Sequence, residues 1–533
     1  MNPRLKAVCD LDVAVAREYV GLHDDYDGVI PDLSPDGVRA RVARLGRPGA
    51  ELPGEPDPHD EAHLRTVEAA LRYELGELEL HRRNPLWHIA ELDLSSYDRD
   101  YAPAEQRAEA RRRHLAAWPE AIAQAIASLD RVPAPVAAAL LPAARGLAAG
   151  LDERRHDHGR GGEPGGGHAL QRQQPDDEKT LEAALAAHRR QVAHLEAAAE
   201  HADPDPALGR ATLERLLSTR EALAVDLGRL EERADAERDR LHALLSDACE
   251  RLAPGEPPAE VIAGLLRDHP DAGGVLDEAR ATSDEVIAFT KARGLVPDLD
   301  GECLVGPAPP SRRWALAMMS WAAPYEADAP SRYYISPPDP SWPAEDQEQW
   351  LAVFSRTSLP AITAHEVAPG HFAHGRCLRR VTSEVRRVLH SDAFVEGWAH
   401  YAEELCVEEG LRASDPRFAV GVALEALQRV TRLAVSIGLH SGAMPLEEAI
   451  ARFEADAFVY GPAARAEATR ATFDPTYGRY TWGKLEILRL RDQAKAAWGS
   501  GYSVQRFNAA LLALGSPPLG LMADALELDN GAT

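Results

Sequence analysis

Apolar residues recur at three- and four-residue intervals through most of the chain, which is the pattern of helices that bury one face. The pattern is continuous over residues 60–80, 103–129 and 181–202. Ser34 and Pro35 precede another such stretch, in the order expected for a helix N-cap and a first helical position. The sequence therefore predicts a mainly helical fold.

The helical pattern breaks in two places. Residues 152–178 combine glycine and charge without periodicity, and we interpret them as an exposed loop. Near residue 296 the chain becomes rich in proline and aromatic residues, which predicts short strands and turns at about 300–337, notably in SRYYISPP at 331–338. Helical periodicity then resumes at about residue 344 and continues to the end.

The domain organisation predicted from these breaks has two parts. Residues 1–295 form a helical N-terminal lobe that carries the exposed loop. Residues 296–533 form a catalytic part, in which the small strands are followed by helices with candidate chemistry. No internal repeat is evident in the sequence, and we expect the two parts to form one continuous structural unit.

Composition and charge narrow the classes of partner. The chain has 533 residues, of which 85 are acidic and 59 basic, giving a formal net charge of −26. A protein with this charge repels nucleic acid and anionic membrane surfaces, so neither is an expected partner. The sequence leaves the oligomeric state open.

The sequence also predicts the cellular compartment. No run of about 18 apolar residues suggests a transmembrane helix, and the first residues lack the apolar core of a signal peptide. Cysteines are odd in number and irregularly spaced, so we expect free thiols in a reducing compartment, at Cys9, Cys249, Cys303, Cys377 and Cys406. A cytoplasmic location is therefore predicted.

The first candidate for chemistry is the stretch HEVAPGH. His365 and Glu366 resemble the start of the H-E-x-x-H zinc helix, but the second histidine, His371, comes two positions late. Six residues at about 100° each place it roughly 240° around a regular helix, so the two imidazoles would diverge. Either Pro369-Gly370 distorts the helix so that they converge, or this is a helix end without chemistry.

A second motif follows 25 residues after His371. Glu396, His400 and Glu403 are spaced i, i+4 and i+7, which places them on one face of a helix. A catalytic zinc ion needs three protein ligands and an open position for water. His365, His371 and Glu396 are the predicted ligands.

Glu366 is the predicted general base, because it adjoins the first ligand and would accept a proton from water activated by the metal. His374 is an alternative ligand, and His374, His400 and Glu403 are alternatives for the base. An isolated histidine is more often structural than functional, so His374 and His400 are ranked below the three chosen ligands.

HEVAPGH and FVEGWAHYAEEL together resemble a bacterial family known as domain of unknown function 885, which is grouped with zincin-like peptidases. The resemblance extends over nearly the whole chain. It implies a large helical gluzincin fold with a central cleft, a small β element beside the active site and a histidine–histidine–glutamate zinc site. It also implies that the Pro-Gly distortion lets both imidazoles meet one metal.

The resemblance implies further site residues. Arg432, His440 and Tyr480 match family positions: an arginine can hold a substrate carboxylate, and a tyrosine or histidine can donate to an oxyanion. Tyr333 and Tyr334 lie in SRYYISPP, which is expected to border the cleft as an edge strand that holds an extended substrate. They are therefore predicted to contact substrate.

These observations leave three functions open. The leading hypothesis is a zinc-dependent hydrolase that cleaves a peptide or amide bond in a small substrate. The alternative is a metal-dependent biosynthetic enzyme, favoured because the chain departs from the family pattern at 372–374, 436–437 and 476–478. The third is a non-catalytic helical binding protein, which should have lost a ligand or Glu366, and neither is lost.

Overall fold

Helices form most of the molecule, as the periodicity predicts. The computed structural model describes residues 1–46, 57–149, 151, 175–326 and 329–528. In residues 1–295 the α-helices are α1 (Pro3–Cys9), α2 (Val13–Glu18), α3 (His23–Tyr26), α4 (Pro35–Val42), α5 (Pro58–Leu71), α6 (Pro85–Leu92), α7 (Ala104–Ser128), α8 (Ala134–Gly146), α9 (Pro175–His201), α10 (Arg210–Glu221), α11 (Leu227–Leu252), α12 (Pro258–Leu266) and α13 (Gly274–Arg293).

The start of helix α4 follows the capping chemistry predicted from the sequence. Ser34 caps α4 by accepting a hydrogen bond from the Gly37 amide, and Pro35 is the first helical residue. The long helix α9 packs on α7 and on α8, and Trp118, Leu140 and Leu185 lie in one buried cluster. The long amphipathic helices predicted from the periodicity therefore pack side by side.

A three-stranded sheet forms where the helical pattern breaks. The strands are β1 (Cys303–Pro307), β2 (Ala317–Ser320) and β3 (Ser331–Ile335). Their order is β1-β3-β2, with β1 parallel and β2 antiparallel to β3. The strands fall inside the range predicted from the sequence.

Helices resume after the sheet at Ala344, as predicted. The remaining α-helices are α14 (Ala344–Ala352), α15 (Leu359–Glu366), α16 (His371–Leu378), α17 (Glu384–Val388), α18 (Asp392–Glu408), α19 (Pro416–His440), α20 (Leu446–Ala457), α21 (Gly461–Phe473), α22 (Arg479–Trp498), α23 (Val504–Leu512) and α24 (Met522–Ala525).

The largest hydrophobic cluster lies among helices from both sides of residue 295. Helix α11 packs along α19, and α18 packs along α22. Leu245 of α11 belongs to the same buried cluster as Phe372 of α16 and Val430 of α19. The division into parts at 295/296 stays a prediction, and this core contains side chains from both.

Other sequence expectations concern the loop, the thiols and the membrane. Of the predicted loop at 152–178, residues 152–174 lie outside the described residues, and helix α9 already begins at Pro175. All five cysteines have free thiols. Within the described ranges, no helix is long and apolar enough to cross a membrane.

Helices α18 and α22 cross at two glycines. A Cβ at Gly483 would lie 1.9 Å from the carbonyl oxygen of Ala393, and a Cβ at Gly397 would lie 2.5 Å from the carbonyl carbon of Gly483. The two backbones therefore approach more closely than any side chain at these positions would allow. This crossing fixes Glu396 of α18 beside the first turn of α22.

We expect Gly483→Ala to lower the free energy of unfolding by about 1–3 kcal/mol or more, because the methyl group forces the two helices apart. Gly264→Ala is the matched control: Gly264 is exposed in α12, and its new Cβ would only contact Arg267 Nη2 at 3.9 Å. That change should stabilise the protein by about 0.5–1 kcal/mol. Denaturant unfolding measures both, and equal effects of the same sign would contradict the close crossing.

Candidate metal centre

The stretch HEVAPGH folds as two helices and an intervening turn. Helix α15 ends at Glu366, residues 367–370 form the turn, and α16 begins at His371. The Ala368–Pro369 peptide bond is cis, and a Cβ at Gly370 would lie 1.8 Å from the carbonyl oxygen of His365. The two histidines converge, as the first sequence alternative predicts, but through a change of direction between two helices and not through a distortion within one.

A side chain of helix α18 forms a hydrogen bond with this turn. Trp398 Nε1 donates a hydrogen bond of 2.9 Å to the carbonyl oxygen of Pro369. The indole is fully buried, so this carbonyl has a partner where water is excluded. The tryptophan of the second motif therefore holds the turn of the first, and Glu396 lies two residues before it.

The three predicted ligands converge. Ligand atoms of His365, His371 and Glu396 all lie within 4.8 Å of one another. Glu396 Oε2 is 3.1 Å from His371 Nε2 and 3.4 Å from His365 Nε2. Ligand atoms about 2.0–2.2 Å from a tetrahedral zinc ion are separated by roughly 3.3–3.5 Å, so the donor set fits this metal.

Glu403 orients the first histidine. Its Oε1 is 2.6 Å from His365 Nδ1, and Arg429 Nη2 lies 3.2 Å from the same carboxylate oxygen. A hydrogen bond from Nδ1–H fixes the tautomer in which Nε2 carries the free lone pair, as in carboxylate–histidine–metal arrangements. From the sequence, Glu403 is predicted only as an alternative base, although its i+7 spacing from Glu396 places it on the same helix face.

The electrostatics of the cluster favour a cation. Burial and the charge of Arg429 lower the pKa of His365, but hydrogen bonds to Glu396 and Glu403 outweigh them and raise it to about 9. Burial raises the pKa of Glu396, yet His371 and His365 hold it well below its usual range. Two carboxylates therefore supply negative potential at the point where the imidazoles meet.

Glu366 lies beside this cluster without a partner of its own. The residue is buried, and its Oε2 has no hydrogen-bond partner among the described residues. Burial, and then the charge of Glu396, raise the pKa of its carboxyl, while His371 and His365 lower it in part. A buried carboxylate with a free oxygen is suited to accept a proton from a small molecule bound next to it.

A cavity of about 400 Å³ contains the cluster. His365, Glu366, His371 and Glu396 line one part of it, and β2 lines another. Larger cavities of about 570 and 470 Å³ exist, but neither contains the histidine–glutamate cluster. The cavity can hold a small molecule or the end of a peptide against the candidate centre.

The other predicted histidines lie elsewhere. His440 does not line the cavity: its Nε2 is 2.7 Å from the carbonyl oxygen of Ala471, so the role in oxyanion binding is corrected. His374 Nε2 bonds with Ser516 Oγ at 3.1 Å, and His400 is fully buried next to Glu403. None of the three joins the ligand cluster.

Tyr480 and Arg432 do line the cavity. The Tyr480 ring stacks on His365, with ring centroids 6.1 Å apart. Arg432 Nε and Nη2 bond with the two oxygens of Glu467 at 2.7 and 2.9 Å, so this edge of its guanidinium is already occupied. The predicted bidentate contact with a substrate carboxylate is not available at that edge.

The predicted edge strand is wrong. β3, which carries Tyr333 and Tyr334, is the middle strand, so both neighbours use its main-chain groups. Tyr333 is fully buried, and neither tyrosine lines the cavity. The strand that borders the candidate centre is β2, through residues such as Met318. The sequence pattern identified the strands but not their order.

The fold and the site define a mainly helical protein with a buried histidine–histidine–glutamate cluster in an internal cavity. The family model described as "Bacterial protein of unknown function (DUF885)" matches residues 15–526, and the chain belongs to this family. No curated protein gives a significant sequence match to the chain.

Two solved structures share the fold. The "putative lipoprotein of unknown function" from Shewanella oneidensis has 19% identity and a TM-score of 0.74, over 99% of this chain and 98% of that one. The "putative lipoprotein" from Colwellia psychrerythraea has 17% identity and a TM-score of 0.78, over 98% and 97% of the respective chains. At this identity the likeness concerns the fold alone.

We expect His371→Ala to reduce bound zinc from one ion per chain to nearly none, because two remaining ligands hold zinc weakly. The matched control is His390→Ala, since His390 lines the same cavity, is 25% exposed and lies outside the cluster. The control should keep its zinc. Elemental analysis after dialysis measures the zinc content of both variants. Loss of zinc from both variants or from neither would contradict the assigned ligands.

Proposed function

We propose that the protein is a zinc-dependent hydrolase of zincin-like fold that cleaves a peptide or amide bond in a small substrate. The observation that supports it most is the convergence of His365, His371 and Glu396 beside the unpaired carboxylate of Glu366. Three protein ligands with an open side toward a cavity are typical of catalytic zinc sites.

The residues around the centre match what zinc requires. The donor set contains two imidazoles and one carboxylate, and Glu403 gives His365 the support that metal-ligating histidines usually have. The chemistry that zinc supplies when bound is a lowered pKa of a coordinated water and polarisation of a carbonyl oxygen. All other steps fall to the side chains of the protein.

Glu366 moves the proton. Its carboxylate accepts a proton from the attacking water while the water oxygen bonds to the carbonyl carbon. The proton then passes to the leaving nitrogen as the C–N bond breaks, and Glu366 returns to its carboxylate form. One water is consumed, and the products are a carboxylic acid and an amine.

Tyr480 stabilises the oxyanion. Its hydroxyl accepts a hydrogen bond of 3.2 Å from Arg470 Nη2, which leaves the phenolic hydrogen free to donate into the cavity. Burial raises the pKa of Tyr480, so the hydroxyl keeps this hydrogen at neutral pH. A donor next to His365 is placed where negative charge develops on the carbonyl oxygen.

A metal-dependent biosynthetic enzyme is the second candidate. It would use the same ligands, and the cavity of about 400 Å³ lined by several arginines suits a small polar molecule as well as a short peptide. A non-catalytic binding protein has less support, because Glu366 has no structural partner among the described residues that would explain its burial.

We expect Glu366→Gln to keep one zinc ion per chain while turnover falls about 10²–10⁴-fold, because an amide cannot accept the proton. His365→Ala should lose both zinc and turnover. Mass spectrometry measures product formation from a panel of N-acyl amino acids and short peptides. Near-normal turnover by Glu366→Gln on any substrate that the wild type cleaves would exclude Glu366 as the base.

Tyr480→Phe should lower kcat about 10²–10³-fold, with little change in KM or zinc content, because the lost donor acts mainly in the transition state. Tyr477→Phe is the matched control. The Tyr477 hydroxyl donates to Glu467 and the residue does not line the cavity, so its removal should leave kcat nearly unchanged. Equal losses in the two variants would show that Tyr480 acts only through packing.

A further inference from the structure

Arginines line the metal cavity, and two of them have carboxylate partners of their own. Arg429 pairs with Glu403 at 3.2 Å and with Glu425 at 3.0 Å. Arg432 forms the bidentate pair with Glu467 described above. At these two positions the positive charges are balanced inside the protein, as buried charges require.

The other two arginines share one carboxylate. Arg479 Nη1 and Nη2 bond with the two oxygens of Asp474 at 2.6 and 2.9 Å. Arg470 lies 3.4 Å from the same carboxylate through Nε and Nη2. Arg479 therefore holds Asp474 closely, while Arg470 has only long contacts with it.

The neighbouring acids are engaged with other arginines. Glu467 acts on Arg470 but is already paired with Arg432. Asp392 acts on Arg479 and shares Arg220 with Glu74, at 3.2 and 3.3 Å. Arg470 is therefore the cavity-lining arginine with the longest carboxylate contacts, which leaves it the most available to an anionic ligand.

Arg470 is held in position to receive that anion. Its guanidinium lies over the ring of Trp314, 5.0 Å from the centroid, and over the ring of Tyr477, 4.4 Å from the centroid. Arg470 is 9% exposed and lines the cavity, and its Nη1 has no hydrogen-bond partner among the described residues. A stacked guanidinium has a fixed plane, so its free edge can bind a carboxylate with little loss of entropy.

We propose that the substrate carries a free carboxylate that binds to Arg470 while its scissile carbonyl lies at the metal centre. This inference rests on the proposed hydrolase function and specifies its substrate. Tyr480 connects the two ends: its hydroxyl is 3.2 Å from Arg470 Nη2, and its ring stacks on His365 at 6.1 Å.

Because Tyr480 contacts both Arg470 and His365, a substrate that reaches from one to the other passes a single tyrosine side chain. At roughly 3.3–3.6 Å per residue, one or two residues of extended chain have that reach. The substrates are therefore short peptides or N-acyl amino acids with a free C-terminus, cleaved at or next to their last amide bond.

The test compares N-acetyl-Ala-Ala with N-acetyl-Ala-Ala-amide, which differ only in the terminal charge. The wild type should cleave the acid with the higher kcat/KM, and in Arg470→Gln this preference should fall about 10- to 100-fold through loss of a charge-assisted contact. Arg465→Gln is the matched control, because Arg465 lies on the same helix with a side chain 55% exposed. The control should keep the full preference.

Arg470→Lys keeps the charge without the planar fork, and it should keep part of the preference. It also covers the case in which Arg470→Gln does not fold. Equal kcat/KM for acid and amide in the wild type, or a full preference retained in a folded Arg470→Gln, would overturn the inference while leaving the hydrolase intact.

If neither these two compounds nor any member of the wider panel is cleaved, the result counts against the hydrolase function. The proposed carboxylate site is then tested by ligand binding. Calorimetry with the zinc-loaded full chain would use N-acetyl-L-alanine and its amide as probes. Tighter binding of the acid that weakens in Arg470→Gln supports the arginine site. Equal binding of the two probes, or binding of the acid that is unchanged in Arg470→Gln, overturns it.

Discussion

The hydrogen bond of 2.6 Å between His365 and Glu403 joins the two motifs of the candidate centre. It connects the end of α15 to the fourth turn of α18 in a region where water is excluded, and it fixes which imidazole nitrogen faces the cavity. A carboxylate buried this deeply needs positive partners, and Arg429 of α19 supplies one. Three helices therefore meet at one carboxylate, and the ligand geometry depends on their packing.

Other buried charges near the cavity are also paired with opposite charges. Lys484 is fully buried between Glu237 and Glu404 at 2.8 and 3.1 Å, which links α22 to α11 and α18. Gly483 precedes it and allows α22 to touch α18. Charge pairing and close backbone contact thus place the first turn of α22, with its tyrosine and arginine, beside the ligands. Arg470, whose contacts with Asp474 are 3.4 Å long, departs from this rule of close pairing, and such departures are typical of binding sites.

Local features of the fold could be predicted from the sequence, while tertiary ones could not. Periodicity predicted the helices because burying one face requires it, and Ser34 could be placed by its capping chemistry. The spacing of two motifs predicted His365, His371 and Glu396. Strand order is set by how the chain returns through space, so nothing in SRYYISPP indicated that β3 is the middle strand. The bond of His440 to Ala471 likewise depends on the packing of α19 against α21, which family resemblance does not reveal.

The central claim is that one metal ion is held by both motifs. The most direct measurement is a crystal structure of the zinc-loaded protein with anomalous data collected on both sides of the zinc absorption edge. The account predicts one peak, about 2.0–2.2 Å from His365 Nε2, His371 Nε2 and a carboxylate oxygen of Glu396, with His365 Nδ1 still bonded to Glu403. A peak at other side chains, or none between these three ligands, would contradict it.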